Sequence, residues 1–120
     1  GLIYLRKMNM QLASKMRFIS AQLCALLEGD LWHRNAHHAN KMASLLRSSL
    51  DGVPGLTFTN PTQANGVFVI LPPGVADELR KEFRFYDWNP NTGEVRWMCA
   101  WDTTVDDIEA FADAVRALVK

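Results

Sequence analysis

Five consecutive apolar residues, Val67-Phe68-Val69-Ile70-Leu71, closed at once by Pro72 and Pro73, constrain this chain more than any other stretch. The run is too short for a helix, and its apolar character at successive positions predicts a strand buried on both faces, hence central in a sheet. No uninterrupted apolar run in the sequence is longer than this one. That falls far short of the ~20 residues a membrane helix needs, and a soluble protein is expected. A second β-prone segment, Leu56 to Thr59, precedes it across the turn-rich Asn60-Pro61-Thr62-Gln63-Ala64-Asn65-Gly66. Beyond it, Pro73 and Gly74 open a short helix carrying Val75, Leu79 and Phe83. Arg84 to Trp88 and Glu94 to Trp101 then read as a hairpin joined by Asn89-Pro90-Asn91-Thr92-Gly93.

Helical periodicity flanks this β-rich centre. Leu5, Met8, Leu12, Met16, Ile19, Leu23 and Leu26 recur at steps of three and four, which predicts one helix ending at Gly29. Asp30 offers a cap to a second helix with Trp32, Ala36, Ala39, Ala43, Leu46 and Leu50 in the same rhythm, stopped by Gly52 and Pro54. The short Gly29-Asp30 link leaves the two helices either neighbours in space or nearly continuous. At the other end, Thr104 and Asp107 form a capping box ahead of an Ile108, Phe111, Ala112, Val115 and Leu118 stripe. The expected fold class is α+β: a small, mostly antiparallel sheet of three to four strands with helices packed on it, and two amino-terminal helices leading in.

At 120 residues and 48% hydrophobic, the chain can bury the core of a single domain, read as a linking helix over 1–29 and an α+β domain over 30–120. Its 13 Lys plus Arg cancel 13 Asp plus Glu, which argues against a nucleic-acid partner. Cys24 and Cys99 are too few for a disulfide framework and lack zinc-site spacing, so both are expected to be reduced core thiols. No secretory signal pattern opens the sequence, which makes the cytoplasm the expected location. Gly1, Leu2 and Ile3 enter an apolar helical pattern directly, as a piece of a longer protein would.

Arg96 is the residue of greatest chemical interest. Strand alternation sets Val95, Trp97, Cys99 and Trp101 on one face and Arg96, Met98 and Ala100 on the other. A guanidinium keeps its proton, so among apolar neighbours it calls for an anion, and its planar fork suits a carboxylate. That anion is either a ligand or a structural partner, with Asp87, Glu94 and Asp102 as candidates; a stem packed on the sheet with its head in water is the remaining option. His33 and His37 lie one helical turn apart, yet no further ligand follows at metal spacing, and with His38 they read as surface histidines rather than a metal site. Lys15 lacks the desolvated setting of a nucleophilic amine. Together with Arg6, Lys7 and Arg17 it makes the first helix basic, as a solvated face or as a cluster around a phosphate. Trp32, Trp88, Trp97 and Trp101 read as core and interface.

The segment Val95-Arg96-Trp97-Met98-Cys99-Ala100-Trp101-Asp102-Thr103-Thr104-Val105-Asp106-Asp107-Ile108 resembles the closing strand and helix of threonine aldolases, pyridoxal-phosphate enzymes of the aspartate-aminotransferase fold. Gln63-Ala64-Asn65-Gly66-Val67-Phe68 resembles that family's central strand. Arg6-Lys7 followed by Met16-Arg17 is similar to the segment leading from its large domain into its small one, although this chain has Gln11-Leu12-Ala13-Ser14-Lys15-Met16-Arg17-Phe18 where the family carries a glycine-rich run. The resemblance covers the whole chain, as the carboxy-terminal third of such an enzyme. It implies that Arg96 binds the α-carboxylate of an amino-acid substrate. It further implies that Lys7 and Arg17 match basic residues reaching across a dimer interface to the phosphate of the neighbouring subunit's cofactor.

The family's cofactor-bearing lysine, the aspartate on the pyridine nitrogen and the histidine stacked on the ring belong to a large domain upstream of Gly1. This chain alone is therefore expected to bind pyridoxal phosphate poorly and to catalyse nothing. The implied parent is a homo-oligomer that cleaves L-threonine or L-allo-threonine to glycine and an aldehyde. The same fold and cofactor also serve β-elimination and transamination. A separate reading is a small α+β module that binds a partner or dimerises through the first helix and the tryptophans.

Overall fold

The computed structural model describes residues 1–11 and 14–119, which fall into two compact units, Gly1–Arg34 and Asn35–Lys120. In the first unit, α1 spans Leu2–Met8 and α2 spans Met16–Leu27; α3, Leu31–Ser49, begins there and continues into the second unit. The single long helix expected from the apolar spacing is therefore two helices. Asn9 ends α1, its side-chain amide donating to the Leu5 carbonyl at 2.8 Å, an alternative partner that competes with helix propagation. Met10 and Lys15 then take left-handed φ angles of 54° and 58°, which no α-helix accommodates. Leu12, part of the expected stripe, lies outside the described residues.

Gly29, at φ 65°, supplies the left-handed residue that separates α2 from α3. The Asp30 carbonyl accepts the Arg34 amide at 2.9 Å, and the Asp30 carboxylate pairs with Arg34 Nε at 3.1 Å. No residue of α1 or α2 is buried; Leu2, Ile3, Met8, Phe18 and Leu27 are all exposed. Cys24 is likewise exposed on α2, contrary to a core role.

The second unit is an open antiparallel sheet ordered β1-β2-β4-β3, from β1 (Thr57–Phe58), β2 (Gly66–Ile70), β3 (Tyr86–Asn89) and β4 (Glu94–Met98). Thus β2 and β4 are internal and the expected hairpin forms. One face of the sheet packs Val67, Val69, Val95 and Trp97 against Met42, Ala43 and Leu46 of α3, against Val75 and Leu79 of α4 (Val75–Leu79), and against Ile108, Ala112 and Val115 of α5 (Val105–Leu118). β2 consequently alternates: Val67 and Val69 are buried, while Phe68 and Ile70 on the second face are only half-buried, which corrects the expectation of burial on both faces.

Two termini are set by local chemistry. Gly74, at φ 83°, lets the chain turn into α4 after the paired prolines. At α5, Thr104 Oγ1 accepts the Asp107 amide at 3.1 Å while Asp107 Oδ2 accepts the Thr104 amide at 2.8 Å, forming the expected capping box. The Thr104 hydroxyl also donates to Asp107 Oδ2 at 2.7 Å, and this bond first, with the one from the Thr104 amide, holds the Asp107 carboxyl below its ordinary range.

Candidate functional site

β4 carries Arg96 on the sheet face opposite the core, because its neighbours Val95 and Trp97 are drawn to the helix-covered side. Across the ladders, Arg96 pairs with Phe68 of β2 and with Tyr86 of β3. Its guanidinium carbon lies 5.0 Å from the centre of the Trp88 ring, and Trp88 in turn meets Phe68 edge to face, with ring centres 5.1 Å apart. Arg96 is half-buried, and its Nε is wholly sheltered with no hydrogen-bond partner. Among the described residues it joins no ion pair. Asp87, one candidate, is taken by Arg80; Glu94, another, accepts the Thr59 hydroxyl. A sheltered donor without an acceptor is a costly arrangement that a ligand carboxylate would relieve.

An open cleft of about 300 Å³ adjoins this cation, walled by Pro61, Gln63, Asn65, Gly66, Phe68 and Met98. Asn65 fixes its rim: its side-chain amide donates to the Cys99 carbonyl at 2.9 Å, and its own carbonyl accepts the Cys99 amide at 2.9 Å. Gly66 follows without a side chain, and a Cβ there would meet Met98 Sδ at 3.2 Å. The polar groups offered to a ligand are thus the guanidinium and the side-chain amides of Gln63 and Asn65. A carboxylate accepts from all three groups.

The other expected site residues lie apart from this cleft. Lys7 sits in the last turn of α1 and Arg17 in the first turn of α2, both exposed and neither in an ion pair among the described residues. Lys15 caps α2 in a left-handed conformation, without the enclosure a nucleophilic amine requires. His33 and His37 are exposed on α3, and no group of three metal-binding side chains gathers among the described residues. His38 departs from the surface reading: it is half-buried, and its Nε2 donates to the Thr103 carbonyl at 2.7 Å, tying α3 to the turn before α5.

The remaining aromatic and thiol groups divide between core and surface. Trp97 is 3% exposed and stacks edge to face with Phe111 at 4.9 Å. Trp101, placed with it by alternation, is 67% exposed because β4 ends at Met98 and the chain turns through residues 101–102. Burial pushes the Cys99 thiol up, so it is a neutral packing group. Asn65 and Trp88 shape the site without having been singled out for it. An Asn just before a strand was the available signal for the first; the second depends on strand register, treated below.

Comparison with known proteins places this arrangement in context. No family model matches the chain. Over 110 residues it is 43% identical to the low specificity L-threonine aldolase of Pseudomonas sp. (strain NCIMB 10558), and 40% identical to the low specificity L-threonine aldolase of Pseudomonas aeruginosa. Each match covers 91% of this chain and 32% of the relative, so the chain spans about a third of the length of the curated relatives it matches. Among solved structures, the threonine aldolase of Leishmania major superposes with a TM-score of 0.70 at 27% identity, covering 80% of this chain and 29% of that one. The resemblance to threonine aldolases read from the sequence is thereby borne out, and the α+β fold is shared with one of them.

Proposed function

We propose that this chain is the carboxy-terminal small domain of a pyridoxal-phosphate-dependent aldolase that cleaves L-threonine or L-allo-threonine to glycine and acetaldehyde. Within it, Arg96 binds the substrate α-carboxylate. The observation that carries this reading is the half-buried Arg96, its Nε sheltered and unpartnered, beside an open cleft, with no carboxylate among the described residues paired to it.

The guanidinium accepts the carboxylate by paired N–H donors, while the amides of Gln63 and Asn65 stand at the cleft wall to complete the anion's hydrogen bonds. A carboxylate held by a rigid fork cannot rotate freely, so its attachment fixes which substituent of the adjacent carbon is presented for cleavage. Orientation of that kind contributes a large share of many enzymes' rate. Phe68 and Met98 supply apolar surface to the cleft wall beside these donors.

Lys7 and Arg17 are the residues that would hold the cofactor phosphate. Their chemistry fits: both are exposed cations without carboxylate partners among the described residues. When bound, pyridoxal phosphate supplies an electron sink for the pair released on carbon–carbon cleavage. Its ring partners would come from the large domain implied by relatives three times this chain's length, and the exposed apolar residues of α1 and α2 would meet that domain or a second subunit. No helix among the described residues is long and apolar enough to cross a membrane.

The test is steady-state kinetics of the full-length protein on L-threonine. Arg96→Ala is expected to raise KM at least tenfold, on the order of 1.4 kcal/mol. An unchanged KM would remove Arg96 from substrate binding.

A further inference from the structure

We infer that Trp88 is a positioning residue for the carboxylate site, set onto Arg96 by a β-bulge in the edge strand; this rests on the reading that Arg96 holds the substrate carboxylate. Three observations lead there.

The first is register. Tyr86 pairs with Arg96 and Asp87 with Val95, but Asn89, not Trp88, pairs with Glu94, so Trp88 is an extra residue without a partner on β4. Bulges of this kind bend an edge strand locally and re-aim one side chain, and they are enriched beside functional sites.

The second is what the re-aimed ring touches. Its face lies 5.0 Å from the Arg96 guanidinium carbon, and it meets Phe68 edge to face, so Trp88 of β3 stands between the cation of β4 and an aromatic ring of β2. An electron-rich indole face attracts a guanidinium without supplying a formal negative charge. Arg96 is thereby held in place yet left un-neutralised, which is the state a carboxylate receptor requires. A carboxylate at the same position would hold the arginine equally well and would compete with the substrate.

The third is economy of packing. Trp88 is 53% exposed, so it is poorly placed to serve the core, unlike Trp97 at 3%. A bulge alone would suffice to discourage edge pairing with another chain and would need no indole.

The experiment compares, in the full-length enzyme, kcat/KM for L-threonine with that for its amide, which lacks the carboxylate. The ratio isolates carboxylate recognition from general losses of activity or fold. Trp88→Leu is expected to lower the preference for the acid about threefold, in keeping with an exposed cation–π contact. Trp88→Met, which keeps the bulk but no π face, should match it, so the comparison survives if the leucine variant does not fold. Trp88→Phe, which retains a ring, should lie within about twofold of the wild type.

If Trp88→Leu and Trp88→Met keep the full preference while Arg96→Gln abolishes it, the role of Trp88 is overturned and the carboxylate reading survives. A preference in Trp88→Phe as low as in the leucine variant also overturns the inference, since the ring face would not be the agent. A preference untouched in Arg96→Gln overturns the underlying reading and this inference with it.

Discussion

Asn65→Ala separates the rim of the cleft from its cation. The Asn65 side chain donates to the Cys99 carbonyl at 2.9 Å, beyond the last β2–β4 ladder pair, Gly66 with Met98. Alanine keeps the backbone bond from the Cys99 amide to the residue 65 carbonyl but removes that donor. The Cys99 carbonyl belongs to a residue only 4% exposed, and among the described residues no other donor reaches it. A buried acceptor left unpaired costs about 1–3 kcal/mol, and about 1 kcal/mol if water reaches it. With a urea dependence of about 2 kcal/mol per molar, the unfolding midpoint should fall by roughly 0.5–1.5 M at constant slope. Far-UV circular dichroism across a urea series measures this. A midpoint that does not move would refute the clamp, and with it the claim that Asn65 holds the end of β4 in place.

Leu50→Ala removes a side chain with no exposed surface and should cost about 2–5 kcal/mol in chemical unfolding. Thr104→Ala deletes the cap of α5, expected to cost about 0.5–2 kcal/mol. It should also raise the Asp107 carboxyl toward its ordinary value, since the Thr104 hydroxyl is the chief cause of its lowering. Because the folded-state value is depressed, Asp107 stabilises the fold above the ordinary carboxylate pKa of about 3.9, and that contribution disappears as pH falls through the lowered value. Carboxyl NMR titration should show the upward shift, and acid unfolding of the variant should lose less stability over this range than the wild type does.

The elements with a clean period were legible in the sequence. α5 showed its capping box and apolar stripe, β2 its apolar run, and β3–β4 their turn. The break between α1 and α2 was not, because the steps Met8, Leu12, Met16 continue through it; Asn9 was the only local sign that the helix would stop. Trp101 was assigned to the core face because apolar residues run past Met98, whereas alternation holds only as long as the strand does. Arg96 stood out as a charge inside an apolar strand. Its surroundings did not, since Trp88 reaches it only through a register slip and Asn65 only through a bond to a residue 34 positions on. The His38 bond to Thr103, across 65 positions, was hidden for the same reason.

Where an amino acid's carboxylate sits decides the role of Arg96. A crystal structure of the full-length protein with glycine bound should place that carboxylate at hydrogen-bond distance from the Arg96 guanidinium, about 2.7–2.9 Å, with Trp88 still over the cation. A glycine carboxylate held by other groups, with Arg96 facing water or a carboxylate of the protein, would contradict it.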